Sequence, residues 1–181
     1  MINEKYSIEI KLRIQDVEKD LWNNLVKKLN NPFYEWEWLL NLEASKSVSQ
    51  KTGWQPLYFL LYLDKELQGI APLFLKNHSY GEFIFDQSFA RLAQDLNLAY
   101  YPKLIGMSPY SPIEGYQFIY KENSDEQEIT KILLDYIEVF AKKNNILSCN
   151  FLYIDKRWEK LLTKYNYHKW INIRSQWESI G

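Results

Sequence analysis

Leu57 to Lys76 reads LYFLLYLDKELQGIAPLFLK, two apolar runs joined by a polar dipeptide. The first run, Leu57 to Leu63, is almost unbroken, as expected of a central strand covered on both faces. Asp64-Lys65 makes a tight turn, and Leu67 to Leu75 returns as the hairpin partner. Pro72 has no N–H to give to a ladder, so the returning strand is expected at a sheet edge, or bulged at that point.

The flanking sequence supplies the layers that cover such a hairpin. Tyr6 to Arg13 alternates Ile8, Ile10 and Leu12 against Ser7, Glu9, Lys11 and Arg13, a half-buried strand. Asp16 is expected to cap a helix carrying Val17, Leu21, Trp22, Leu25, Val26 and Leu29, ended by Asn30-Asn31-Pro32. A second amphipathic helix follows from Phe33 through Trp36, Leu39, Leu40 and Leu42, and Ser45 to Gly53 is a polar loop. Downstream come a short helix, Ser88 to Leu96, and a short strand, Gln117 to Tyr120. Asp125 to Lys143 then forms an amphipathic helix, with a Ser124/Gln127 capping box and Ile129, Ile132, Leu133, Tyr136, Ile137 and Phe140 on one face. Ile146 to Ile154 is a strand, Asp155 caps a helix through Trp158, Leu161 and Leu162, and Tyr167 to Trp177 is a long, partly polar strand. That order makes an α/β protein with a mixed sheet. Its 181 residues fit one domain.

Lys plus Arg total 22 against 23 Asp plus Glu, so no overall field exists to hold DNA or an anionic membrane. The basic pairs Lys27-Lys28 and Lys142-Lys143 fall at helix C-termini, where cations offset the dipole. A single cysteine, Cys149, suits a reducing compartment. The N-terminus lacks a secretory pattern, and no window reaches the roughly 18 consecutive apolar residues of a spanning helix. The expectation is a soluble cytoplasmic protein. Seven Trp, fourteen Tyr and nine Phe fit either a groove or an aromatic-rich core.

Four segments together are distinctive: Asn31-Pro32-Phe33, Thr52-Gly53-Trp54-Gln55-Pro56, HSYGEFIFD at residues 78–86, and YYPKLIGMSPYSP at residues 100–112. In this order they resemble the FemAB-like family of N-acyltransferases, labelled peptidoglycan biosynthesis/recognition, with the resemblance running from Asn31 to the C-terminus. It implies a GNAT-like mixed sheet with helices on both faces. Members of the family carry two related halves in one chain, so Gly181 is expected to fall before a second half. The implied activity is transfer of an acyl or aminoacyl group to an amine acceptor, a peptidoglycan precursor or peptide. The donor would be acyl-CoA or aminoacyl-tRNA, with no permanently bound cofactor; the charge balance gives tRNA no independent support. The alternative is a truncated, non-catalytic half that pairs with a partner chain or with itself. The fold's usual acyl-CoA turn, Q/R-x-x-G-x-G/A before the helix after the central strand, is replaced by Tyr120-Lys121-Glu122-Asn123-Ser124-Asp125-Glu126. Three acids there oppose a pyrophosphate.

The polar groups placed for chemistry concentrate between Ile70 and Pro112. No phosphate cradle, GxSxG elbow or HExxH motif is present, and one Cys with two His makes no metal site. Glu82, Asp86 and His78 are the candidate bases for an attacking amine. Glu82 and Asp86 are four apart in an extended Gly-Glu-Phe-Ile-Phe-Asp, so alternation puts both on one side, opposite Phe83 and Phe85. Either carboxylate instead pairs with a lysine, or Asp86 caps the helix at Ser88, and His78 is otherwise a hydrogen-bonded turn residue. Lys103 is placed to hold a substrate carboxylate or phosphate, or is a strand-end cation. Tyr80, Tyr101, Ser108 and Tyr110 are wall or oxyanion groups, or packing. Trp170, Arg174 and Trp177 extend the groove or face a missing half. The expectation is that the two turns meet around a cavity with the ionisable groups inside.

Overall fold

The computed structural model describes residues 5–171, and the Leu57–Lys76 hairpin is its centre. β2 (Trp54–Leu63) and β3 (Glu66–Lys76) pair antiparallel, turned by Asp64 and Lys65 at φ 49° and 69°. Two successive left-handed residues give the turn a twist that matches its strands. β1 (Tyr6–Lys11) lies antiparallel on the far edge of β2. Beyond β3 come β4 (Lys103–Gly106), β5 (Ile119–Tyr120) and β6 (Cys149–Phe151), the last parallel to β4. The strand order is β1-β2-β3-β4-β6, with β5 also on β3, so the sheet is mixed as expected.

Neighbouring residues of a strand point to opposite faces, and Tyr58 and Phe59 show what covers each one. Tyr58 stands edge-on to Trp22 of α1 (Lys19–Val26), with centroids 5.3 Å apart, and its hydroxyl donates to Glu43 Oε1 of α2 (Trp36–Ala44) at 2.8 Å. Phe59 meets Tyr136 and Phe140 of α4 (Glu126–Lys143). Helices therefore cover both faces. Trp22, Tyr58, Phe59, Leu133 and Ile137 are fully buried, and each large apolar side chain so buried contributes roughly 1.5–3 kcal/mol. Gly69 lets α4 approach, because a Cβ there would lie 2.6 Å from Ile129.

Several local expectations are corrected. Asp16 does not cap α1: it closes a 3-10 turn, Ile14–Asp16, and takes a two-pronged bond from Arg13, leaving Glu18 at the cap with no side-chain bond. At α4 the cap is Asp125, whose carboxylate accepts from Gln127 N (2.9 Å) and Glu128 N (3.0 Å); Ser124 Oγ turns back to Lys121 O. Asp155 caps α5 (Lys156–Leu162) as expected. Gly81 to Asp86 is not a strand, Phe83 having φ 58°. The strand expected from Tyr167 is absent through Ile171, and its remainder, with Arg174 and Trp177, lies outside the described residues. No helix among the described residues is long and apolar enough to cross a membrane.

Pro72 is not on an edge. β3 has β2 on one side and both β4 and β5 on the other. Phe74 pairs with Ile105 and Ile70 with Ile119, so four steps along β3 consume fourteen along its partner, ten more than a continuous strand needs. β4 and β5 are thus two pieces of one strand position, interrupted by an excursion that leaves after Gly106. Pro72 faces the gap. Its carbonyl accepts from Tyr116 OH at 2.9 Å, and since N–H and C=O of one strand residue share a side, its missing N–H points to the break rather than to β2.

Candidate functional site

Trp54, Lys76 and Lys103 form one row across β2, β3 and β4, since Trp54 pairs with Lys76 and Lys76 with Lys103. Side chains in such a row share a face, and like charges directly opposite each other repel. Both lysines are also sealed, Lys76 at 0% and Lys103 at 1% exposure. Two features make the row tenable. Lys76 Nζ lies 3.7 Å from the Trp54 ring, a cation–π contact, and the 77–86 turn brings two carboxylates.

Lys103 Nζ donates to Glu82 Oε2 at 2.7 Å, Asp86 Oδ2 at 2.5 Å and Ser79 Oγ at 2.8 Å. All three N–H of its ammonium are engaged. Tyr100 OH also donates to Asp86 Oδ2 (2.7 Å), and Tyr101 OH bonds Ser79 Oγ (2.7 Å). Lys76 Nζ donates to Tyr80 O (3.0 Å) and His78 Nδ1 (3.2 Å) and stands 4.0 Å from Glu82 Oε1. His78 Nδ1 accepts Tyr80 N–H (3.1 Å) while Nε2 faces Thr52 O (2.9 Å). Those partners put the ring proton on Nε2 and occupy the other nitrogen.

The electrostatics follow from burial set against pairing. Burial raises the Glu82 carboxyl above the ordinary range despite Lys103. For Asp86, burial also pushes upward, but the bonds from Lys103, Tyr100 and Ser79 outweigh it and the net shift is down. Burial lowers the Lys76 ammonium to about 8, Glu82 opposing and Lys103 reinforcing. The Tyr100 hydroxyl is raised, first by burial and then by Asp86.

The two turns therefore meet as expected, and His78, Glu82, Asp86, Tyr101 and Lys103 join one network. The expected cavity is corrected: Glu82 and Lys103, each 1% exposed, pack on one another instead of facing an open space, while His78 is half-buried. Glu82 and Asp86 do point the same way, and Phe83 and Phe85 point outward, without a strand. Asp86 leaves α3 (Gln87–Asp95) without a side-chain cap. Tyr80 is exposed and tilted against His78. Tyr110 lies over Trp54, its hydroxyl on Ser47 O at 2.9 Å. Lys76, Ser79, Tyr100 and Trp54 were not anticipated, because a lysine ending an apolar strand reads as a solvated terminus. The usable signal was Lys76 and Lys103 bracketing Glu82 and Asp86 in one short stretch.

Five buried side-chain polar atoms among the described residues have no hydrogen-bond partner within the chain, and three sit here: Trp54 Nε1, Glu82 Oε1 and Asp86 Oδ1; Ser108 Oγ, two residues before Tyr110, is another. Such atoms are rare and mark strain or function. Three aromatic residues also hold left-handed backbone, Phe83, Tyr110 and Tyr153 at φ 58°, 56° and 54°. All three converge on this turn: Tyr153 OH donates to Glu82 O, and the Tyr110 ring would be 2.7 Å from a Cβ on Gly81. Bulky residues in that region cost on the order of 1–3 kcal/mol each and persist where the surroundings enforce them.

The fold is that of the GNAT acetyltransferases. The chain is similar to a predicted acetyltransferase from Clostridium acetobutylicum solved with acetyl-CoA (TM-score 0.55, 11% identity, 93% of this chain and 96% of that one). It is likewise similar to a GCN5-related N-acetyltransferase from Ralstonia eutropha JMP134 (TM-score 0.51, 11% identity, 94% and 98%). Within that fold the chain belongs to the FemAB-like family, described as peptidoglycan biosynthesis/recognition, whose pattern matches residues 13–181. The match begins 18 residues before Asn31, where the resemblance was expected to start. No curated protein matches the chain.

Proposed function

We propose that this chain is an N-acyltransferase that moves an acyl or aminoacyl group onto the amine of a peptidoglycan precursor or peptide. The observation that carries it is the family match over residues 13–181. In this reading the 77–86 turn, which buries Glu82 at 1% exposure, opens to admit the amine, and Glu82 takes the proton as the amine nitrogen bonds to the acyl carbon and the leaving group departs with its electron pair. Its raised carboxyl and its uncommitted Oε1 support that role. Asp86, with Oδ1 uncommitted, is the other candidate base. Lys103 and His78 orient these groups, since their own polar atoms are engaged. Tyr80, Tyr101, Ser108 and Tyr110 are the acceptor-side wall. The test is mass spectrometry of muropeptide and peptide amines incubated with the chain and a panel of acyl donors. A donor-dependent mass gain that Glu82→Gln or Asp86→Asn reduces by 100-fold or more, with cooperative melting retained, is expected; no gain from any pair sinks the proposal.

Pairing with a partner chain or a second copy has its own support. In α3 only Ala90 and Ala93 turn inward, while Phe85, Leu92 and Leu96 are 88%, 55% and 60% exposed in one stripe that continues to Trp170 on Phe89. An uncovered stripe of this length on a soluble surface marks association. Light scattering tests it: a dimer that Leu92→Ser with Leu96→Ser makes monomeric supports pairing, and a monomer at about 100 μM wild-type protein excludes self-pairing of micromolar affinity.

A further inference from the structure

Two places in this architecture are suited to hold a coenzyme A thioester by backbone alone. One is the N-terminus of the helix after the central strand, whose free N–H groups attract pyrophosphate. The other is the crevice outside the carboxyl ends of adjacent parallel strands. Both are filled here by the chain's own side chains.

At α4, the Asp125 carboxylate already accepts from the N–H of Gln127 and Glu128. Glu126 and Glu128 add negative charge to the same turn, so an incoming pyrophosphate meets acids in place of donors. Arg157, Lys160 and Lys164 of the α5 region face the adjoining groove of about 370 Å³. Arg157 is directed at Asp155, however, and Lys164 at Gln127 Oε1.

The crevice between β4 and β6 is closed independently. The Tyr116 ring lies on Gly106, the last residue of β4, so closely that a Cβ there would be 2.4 Å from it. The same ring stacks on Phe151, the last residue of β6, with centroids 5.8 Å apart, and stands edge-on to Trp158. The backbone is stitched across the opening as well, Gly115 N and Tyr116 N donating to Tyr153 O and Asp155 N to Tyr116 O.

We infer that this chain does not bind coenzyme A thioesters and takes its acyl group from a donor without a coenzyme A moiety, the Asp125 and Tyr116 side chains standing where such a molecule would be held. The inference rests on the acyl-transfer reading but fails separately from it, because acyl transfer from a thioester would overturn the inference and leave that reading intact. The test uses the full chain with acetyl-CoA and free coenzyme A, in isothermal calorimetry and thermal melting. Expected are no saturable heat and a melting shift under about 0.5 °C at 1 mM ligand, where a site at 100-fold saturation would shift it by roughly 5–10 °C. A saturable site with Kd below about 100 μM for either molecule overturns the inference. Asp125→Gly with Glu126→Gln separates the two closures. If it stays silent, Tyr116 alone suffices; if it gains affinity for inorganic pyrophosphate, the Asp125 plug is demonstrated directly.

Discussion

Replacing Lys103 by Met is the sharpest perturbation of the buried network. The ammonium supplies hydrogen bonds to Glu82, Asp86 and Ser79 from a position 1% exposed. Methionine keeps the length of the stem but leaves Asp86 buried with no cation and Glu82 with only Lys76, 4.0 Å from its Oε1, with Glu82 Oε1 and Asp86 Oδ1 already lacking hydrogen bonds. Breaking a buried pair in this way costs about 3–5 kcal/mol, a fall in Tm of roughly 6–20 °C for a chain of this size. Urea unfolding followed by tryptophan fluorescence gives the free energy. The loss must also depend on pH. Without Lys103 the Glu82 carboxyl rises further above its ordinary range and Asp86 loses the first of the bonds that hold it down, so the variant's folded state binds more protons than wild type's and its stability falls relative to wild type as pH rises. The deficit at pH 5 is therefore smaller than at pH 8. Adding Glu82→Leu, Asp86→Leu and Lys76→Met to Lys103→Met should recover most of it, since no charge is then stranded. A cost below about 1 kcal/mol, or one constant from pH 5 to 8, would refute the view that these groups are desolvated and held by Lys103.

Asp125→Ala should cost about 1 kcal/mol of stability in denaturant unfolding and Ser124→Ala under about 0.5, because only Asp125 bonds the first-turn N–H groups. Gly106→Ala should cost more than about 1–3 kcal/mol, since its Cβ would meet the Tyr116 ring at 2.4 Å; a thermal melt matching wild type would contradict that contact. Lys76 has a folded pKa of about 8 against an unfolded value near ~10.4, so its contribution to stability rises as pH climbs through that interval. The Tm difference between wild type and Lys76→Met should shift in favour of wild type from pH 7.5 to 9.5, and a shift the other way would show that burial does not depress this lysine.

The hairpin and α4 were legible because period and turn chemistry agree over many residues: Leu57–Leu63 has no polar interruption, and Asp64-Lys65 leaves one way to reverse. Caps were less legible. Asp16 and Ser124 are suitable residue types at suitable spacing, yet Arg13 claimed one and Asp125 displaced the other, choices made by side-chain geometry that period does not encode. Pro72 misled because its missing N–H was assigned to a sheet edge, when a break inside the neighbouring strand serves equally. The site was half visible. Glu82 and Asp86 were expected together from strand alternation, but it is Lys103 and a turn with Phe83 in left-handed backbone that bring them together, and Lys76 became a member only through its register with Lys103.

The excursion between Gly106 and β5 leaves and rejoins the same edge of β3 with its register advanced by ten. Excising ten residues, 107 to 116, would place Gln117 opposite Pro72 and let one uninterrupted strand run from Lys103 to Tyr120. Such a shortened chain would also lose Tyr116, and with it the stopper over Gly106. Chain length at this one seam therefore sets whether the end of the sheet is open or occluded, a single deletion sufficing to convert one form into the other.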